Sequence, residues 1–110
     1  RVTYPGRPSN SGHDRATRLF DGFGGMMSFE LAGGEVAAKR FEAAVTIPIV
    51  APSLGGVESL ITRPAATSHA GLTPEERAVV GVSDGLIRVS VGIEGTQDLM
   101  ADFEAALAAI

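Results

Sequence analysis

The segment Leu86-Ile87-Arg88-Val89-Ser90-Val91 constrains this chain more than any other, because it alternates strictly. Ile87, Val89 and Val91 share one face of an extended strand, and Leu86, Arg88 and Ser90 share the other. A strand with one apolar face has to lie in a sheet that is covered on that face. The cover follows in sequence. Leu99, Phe103, Leu107 and Ile110 form a stripe at helical spacing, Thr96 is predicted to cap that helix, and Asp98 near its start suits the helix dipole. On the other side of the strand, Thr73-Pro74-Glu75-Glu76 is a capping box with proline where no amide donor is needed, so a helix starts there. It ends at Gly81, which suits the left-handed backbone beyond a helix C-terminus.

The earlier half follows the same logic. Met27, Phe29 and Leu31 alternate with Met26, Ser28 and Glu30, predicting a strand over 26–31 entered through the Gly24-Gly25 turn. After Gly33 and Gly34, Glu35 opens a helix with Ala37, Phe41, Ala44 and Val45 inward and Lys39 and Arg40 toward water. Val45–Val50 is β-branched but contains Pro48, which predicts a short or edge strand. Glu58–Thr62 reads as a returning strand stopped by Pro64, with Ala65–Gly71 as a loop. The Pro52–Gly56 turn between these strands reads, on its residues alone, as a hairpin connection. His13–Phe23 carries Ala16, Leu19, Phe20 and Phe23 at helical spacing and predicts a short amphipathic helix, while the Pro- and Gly-rich residues 1–12 read as an extended arm. There is no internal repeat. The fold class is α+β, an α/β two-layer domain: a small, mainly antiparallel sheet with helices on one face.

Composition removes several functions. At 110 residues the chain is one domain's worth, long enough for a core without staples, and with no cysteine it has neither a disulfide framework nor a thiolate zinc site. A net charge of −4 is the wrong sign for a phosphate-binding surface, so nucleic acid is not an expected partner. The longest apolar run, Ala43–Pro52, includes Thr46 and Pro48 and falls far short of the ~20 residues that a bilayer span needs. The chain opens at Arg1 with neither Met nor a leader, which predicts a piece of a longer polypeptide.

Few side chains suggest chemistry. Gly22, Gly24 and Gly25 do not complete a dinucleotide-binding fingerprint, and no P-loop is present. His13 and His69, the only histidines, lack a ligand pattern around them, so no metal is expected. A triad of Ser53, His69 and Asp84 has no nucleophile elbow to support it. Lys39, the only lysine, sits on the polar face of its helix, where a solvated role outweighs covalent catalysis. Arg88 stands out as a guanidinium inside a strand otherwise built of Leu, Ile, Val and Ser. It is either a solvent-facing strand charge or an anion anchor, since its planar fork matches a carboxylate. The Pro52-Ser53-Leu54-Gly55-Gly56 turn has little bulk, so its backbone could approach a ligand.

Read as blocks in order, the sequence resembles a known family. The blocks are Ala51-Pro52-Ser53-Leu54-Gly55-Gly56-Val57-Glu58-Ser59-Leu60, Pro64-Ala65, Ser68-His69-Ala70, Glu75-Glu76-Arg77 and Asp84 through Glu94, with Tyr4-Pro5-Gly6, Gly24-Gly25-Met26 and Ser28-Phe29-Glu30 extending the likeness toward the start. They resemble the C-terminal part of the Cys/Met metabolism family of pyridoxal-phosphate enzymes, which includes cystathionine γ-synthase, cystathionine γ- and β-lyases, methionine γ-lyase and O-acetylhomoserine sulfhydrylase. The resemblance implies the C-terminal small domain of a fold-type-I enzyme, with residues 1–12 as an arm and 13–110 as the domain. It implies that Arg88 binds the substrate α-carboxylate, that Ser53 lines the same pocket, that Leu54 sits beside the substrate side chain, and that Ser68 is a small hydroxyl residue near the site; Glu58 would be structural. Pro52 stands where γ-lyases often have a Glu or another specificity residue, which favours a γ-synthase-like member joining O-activated homoserine to cysteine. Gly95 replaces a common acidic residue and should affect only a helix start. Lys39 lacks the family's Ser-x-Thr lysine context, so pyridoxal phosphate would be held by a large domain upstream and the 110 residues alone would be inactive. The implied parent is a cytoplasmic homotetramer acting on amino acids. A γ-lyase, a sulfhydrylase, or a non-catalytic binding or oligomerisation module remain as alternatives.

Overall fold

The computed structural model describes all 110 residues. In chain order the elements are β1 (Val2–Thr3), α1 (His13–Leu19), β2 (Met26–Glu30), α2 (Gly34–Ala44), β3 (Ile49–Val50), β4 (Leu60–Thr62), a 3₁₀ turn (Pro64–Ala66), α3 (Pro74–Val79), β5 (Leu86–Ser90) and α4 (Thr96–Ala108). The strands form one sheet in the order β1-β2-β5-β4-β3, so the alternating strand β5 lies at its centre. Its neighbours β2 and β4 both run antiparallel to it. Ile87 and Val89 point into the core as their alternation requires, and α2 and α4 cover that face. The core cluster is Ala38, Phe41, Ile61, Ile87, Val89 and Ala106, each essentially sealed from water. Phe41 meets Phe29 and Phe103 edge-on, at ring separations of 5.2 and 5.6 Å, the arrangement that aromatic quadrupoles favour. No helix is long and apolar enough to cross a membrane.

The capping box forms as its sequence dictates. The Thr73 hydroxyl accepts from the Glu76 amide at 3.3 Å, and Glu76 accepts from the Thr73 amide at 2.7 Å. Gly81 follows the helix end with φ +75°.

Several expectations need correcting. Strands β3 and β4 run parallel, Ile49 beside Leu60 and Val50 beside Ile61, so the Pro52–Gly56 segment is not a hairpin turn. The reason is that residues 51–59 swing out along the far end of β5 before returning, as the bonds described below show. Strand β3 holds only Ile49–Val50, because Thr46 and Ile47 are tied to a helix instead of a strand. The Asp102 carboxylate on α4 accepts from the Thr46 amide at 2.9 Å, the Thr46 hydroxyl at 2.6 Å and the Ile47 amide at 3.1 Å. Helix α4 starts at Thr96 with Gly95 as its N-cap and no side-chain cap, so Thr96 does not cap it. Its stripe is only partly sealed, with Phe103 against the core and Leu107 and Ile110 less than half exposed.

The N-terminal region also departs from its pattern. Helix α1 stops at Leu19, where Phe20 turns extended, and of the expected apolar face only Ala16 is buried. Phe23 leaves the helix to stack on the His13 ring at 5.6 Å and meet Tyr4 edge-on at 6.3 Å. Residues 1–12 are not uniformly extended. Val2–Thr3 join the sheet beside β2, and the chain then turns repeatedly, with amide-to-carbonyl bonds from Arg7 to Tyr4, Asn10 to Arg7 and His13 to Asn10.

Candidate functional site

Arg88 projects from the face of β5 opposite the core, flanked in register by Ser28 of β2 and Thr62 of β4. Its guanidinium reaches the turn that the sequence singled out. Nη2 donates to the Pro52 carbonyl at 2.8 Å and the Ser53 carbonyl at 2.7 Å. No carboxylate pairs with it: the ion pairs of the chain involve Arg1, Lys39, Arg63 and Arg77. Its Nε is buried without an acceptor. The positive charge is therefore steadied by two carbonyl dipoles, is neutralised by no acid, and has donors to spare. A buried donor without a partner costs stability unless something supplies the acceptor, and a carboxylate would do so with charge-assisted bonds.

The turn reaches this position through a series of tethers to β5 and its continuation. The Gly55 amide donates to the Ser90 hydroxyl at 3.0 Å, which explains why Ser90 is buried on the polar face of the strand. The Ile93 amide donates to the Val57 carbonyl at 2.8 Å. Glu94 then takes both polar groups of Ser59: Oε1 accepts from the amide at 2.6 Å and Oε2 from the hydroxyl at 2.8 Å. The Ser59 hydroxyl accepts in turn from the Gly92 amide at 2.8 Å. The amide and hydroxyl of Ser59, with its own backbone amide, hold the Glu94 carboxyl below the usual carboxylate range against a small opposing effect of burial. For Asp102, burial pushes the pKa up, but the bonds from Thr46 and Ile47 outweigh it and the net shift is downward.

The structure thus joins Arg88 and Ser53, although through the carbonyl of Ser53 and not its hydroxyl. Leu54 is the next residue and is exposed beside them. Ser68 follows the 3₁₀ turn, and its hydroxyl lies 2.8 Å from Nδ1 of its neighbour His69; no hydrogen bond links it to Arg88 or to the turn. Its segment is nonetheless tied one strand away, because Thr67 and Thr62 share a 3.0 Å hydroxyl contact and Thr62 pairs with Arg88. Ser53, His69 and Asp84 do not assemble: Asp84 accepts from Arg77 at 2.7 Å while His69 contacts Ser68. Sequence reasoning missed Ser59, Ser90, Gly92 and Glu94, whose importance lies in partners 33 to 35 residues away.

A small α+β domain in which α2 and α4 pack on one face of a five-stranded, mainly antiparallel sheet is the architecture of the small domain of fold-type-I pyridoxal-phosphate enzymes. Known proteins agree. The profile described as Cys/Met metabolism PLP-dependent enzyme matches residues 1–108. The chain is 48% identical over 104 residues to cystathionine gamma-synthase of Escherichia coli strain K12, covering 94% of this chain and 27% of that protein. It is 46% identical over 110 residues to O-succinylhomoserine sulfhydrylase of Pseudomonas aeruginosa, covering 100% of this chain and 27% of that one. A crystal structure of cystathionine gamma synthase from Xanthomonas oryzae pv. oryzae in complex with cystathionine superposes with a TM-score of 0.93 at 50% identity, covering 99% of this chain and 28% of that one. The chain belongs to the Cys/Met metabolism family of PLP-dependent enzymes. It spans little more than a quarter of the length of these relatives.

The family depends on pyridoxal phosphate, but the residues present do not form a site for it. The only lysine, Lys39, lies open to solvent on α2 and pairs with Glu35 one turn away at 2.7 Å. No group of three or more His, Asp or Glu is placed to hold a metal ion.

Proposed function

We propose that this chain is the C-terminal small domain of a longer pyridoxal-phosphate enzyme of transsulfuration, with residues 1–12 as its arm, and that Arg88 anchors the α-carboxylate of the amino-acid substrate. The observation that carries this reading is the guanidinium itself: held by the Pro52 and Ser53 carbonyls, unpaired with any acid, and keeping unsatisfied donors. An incoming carboxylate meets a charge already oriented, so little side-chain entropy is lost on binding, and fixing one end of the substrate fixes how its Cα presents its bonds. Proton transfer is not a task for this residue, because a guanidinium stays charged throughout the working pH range. Ser53 and Leu54 form the adjoining wall, and Ser68 belongs to the segment that Thr67 ties to Thr62, the strand neighbour of Arg88. The cofactor and its lysine come from outside these 110 residues, so the chain alone is inactive.

Among family members we favour a γ-synthase-like reaction joining O-activated homoserine to cysteine. Its support is Pro52, which places no charge beside Ser53, together with the likeness to cystathionine gamma-synthases. A cytoplasmic homotetramer goes with that reading. In the longer protein, Arg88→Ala lowers kcat/KM for the amino-acid substrate by about 10²-fold or more, and Arg88→Lys recovers little, because a point charge cannot replace the fork. Unchanged kinetics in the alanine variant would remove the anchor role. A longer protein without the visible absorbance of bound pyridoxal phosphate would favour a non-catalytic module instead.

A further inference from the structure

We propose that Glu94 is a positioning residue for the Arg88 site: by clasping Ser59 it fixes the far end of the segment whose Pro52 and Ser53 carbonyls hold the guanidinium. The inference rests on the reading of Arg88 given above. Ladder bonds hold the two ends of segment 51–59, Ala51 amide to Ile61 carbonyl and Ile49 amide to Ser59 carbonyl, but between them it lies outside the strands, so its path is set by separate tethers. These come in order along β5 and beyond. Arg88 takes the carbonyls of Pro52 and Ser53, Ser90 takes the amide of Gly55, Ile93 takes the carbonyl of Val57, and Glu94 takes the amide and hydroxyl of Ser59. The last tether is double and ends on a charge, as the Arg88 tether does, but it alone acts on a residue fully sealed from water. The Glu94 carboxylate makes no ion pair, so its hydrogen-bonding capacity toward other side chains is directed at Ser59.

Removing that carboxylate leaves the Ser59 amide and hydroxyl buried without an acceptor, which the segment can relieve only by moving toward water. Movement at Ser59 is transmitted in both directions. Its carbonyl accepts from the Ile49 amide at 2.9 Å, and the Gly92 amide depends on its hydroxyl. The packing has no slack, since a Cβ at Gly92 would meet the Val57 carbonyl oxygen directly and lie 2.5 Å from the Glu58 carbonyl carbon. The consequence falls on the two carbonyls that orient Arg88.

The test uses the longer protein with its cofactor bound, and L-cystathionine as the probe, titrated through the cofactor's visible absorbance. Glu94→Ala weakens binding about tenfold, and Ser59→Ala and Glu94→Gln, which each keep part of the clasp, weaken it less. In the Arg88→Ala background, Glu94→Ala changes binding by less than about twofold, because the group it positions is gone. A Glu94→Ala effect of full size in that background, or unaltered binding in all three clasp variants, overturns the inference while leaving Arg88 as the anchor. If Arg88→Ala alone binds the probe as the parent does, the anchor reading itself fails. Should Glu94→Ala not fold, the same cycle run with Ser59→Ala decides the matter.

Discussion

The two faces of strand β5 are built from alternate residues of one short sequence, yet they are held in different ways. On one face Ile87 and Val89 meet Phe41, Ile61, Ala38 and Ala106, and the contacts are many, apolar and without direction. On the other face Arg88 and Ser90 hold an irregular segment through single hydrogen bonds, each with a named donor and acceptor. A defect in the first face is spread over the whole cluster and weakens folding. A defect in the second is felt at one bond, and it should disturb the site while the core stays intact.

Substitutions that separate stability from binding sharpen this contrast. Phe41→Ala is expected to have the largest effect, removing about 3–5 kcal/mol from the stability of the chain in a denaturant titration, because the ring is fully buried at the centre of three aromatics. Arg88→Ala comes next and acts on the other axis: a loss of about 10²-fold in kcat/KM with a melting temperature that barely moves. A large drop in melting temperature for Arg88→Ala would break the contrast, by showing that the guanidinium is mainly structural.

Gly92→Ala should act on both axes. The added methyl runs into Val57 and Glu58, and overpacking of this kind costs about 1–3 kcal/mol unless the segment shifts, which would weaken substrate binding instead. Either result shows close approach at this position; an alanine variant indistinguishable from the parent in both stability and binding denies it.

The smallest expected effect is that of pH. Glu94 and Asp102 both titrate below their usual range when folded, so each contributes stability that is complete above the unfolded-state value near pH 4 and is lost as pH falls through the depressed folded value. Denaturant midpoints followed from pH 7 down to pH 3 should therefore decline at the acid end. Asp102→Asn and Glu94→Gln should each remove part of that decline. A slope unaffected by either substitution would assign the acid sensitivity to other carboxyls.

What the sequence revealed follows the range of the interactions. The capping box was legible because Thr73 and Glu76 are three residues apart, and strand β5 because alternation is a local pattern. Arg88 was legible as an anomaly of composition, a permanent charge among Leu, Ile and Val. The parallel pairing of β3 with β4 was not, because a turn rich in Gly and Pro reads as a hairpin whichever way its flanks run; the deciding bonds come from Arg88 through Glu94. Val45–Val50 reads as strand from its β-branched residues, but only Ile49–Val50 form one, and the Asp102 carboxylate that captures Thr46 and Ile47 lies 56 residues from Thr46. Helix α1 shows a different limit. Its apolar spacing was real, but spacing cannot say whether a surface exists to bury it, and Leu19 and Phe20 remain 67% and 60% exposed.

The central claim is that a guanidinium receives a carboxylate, and ligand charge tests it most directly. In the longer protein, affinity for L-cystathionine should exceed affinity for its α-carboxamide counterpart by about 10²-fold, and Arg88→Ala should abolish that preference, leaving the two ligands equal within about threefold. A preference for the acid that persists undiminished in the alanine variant would contradict the account and send the search for the anchor elsewhere.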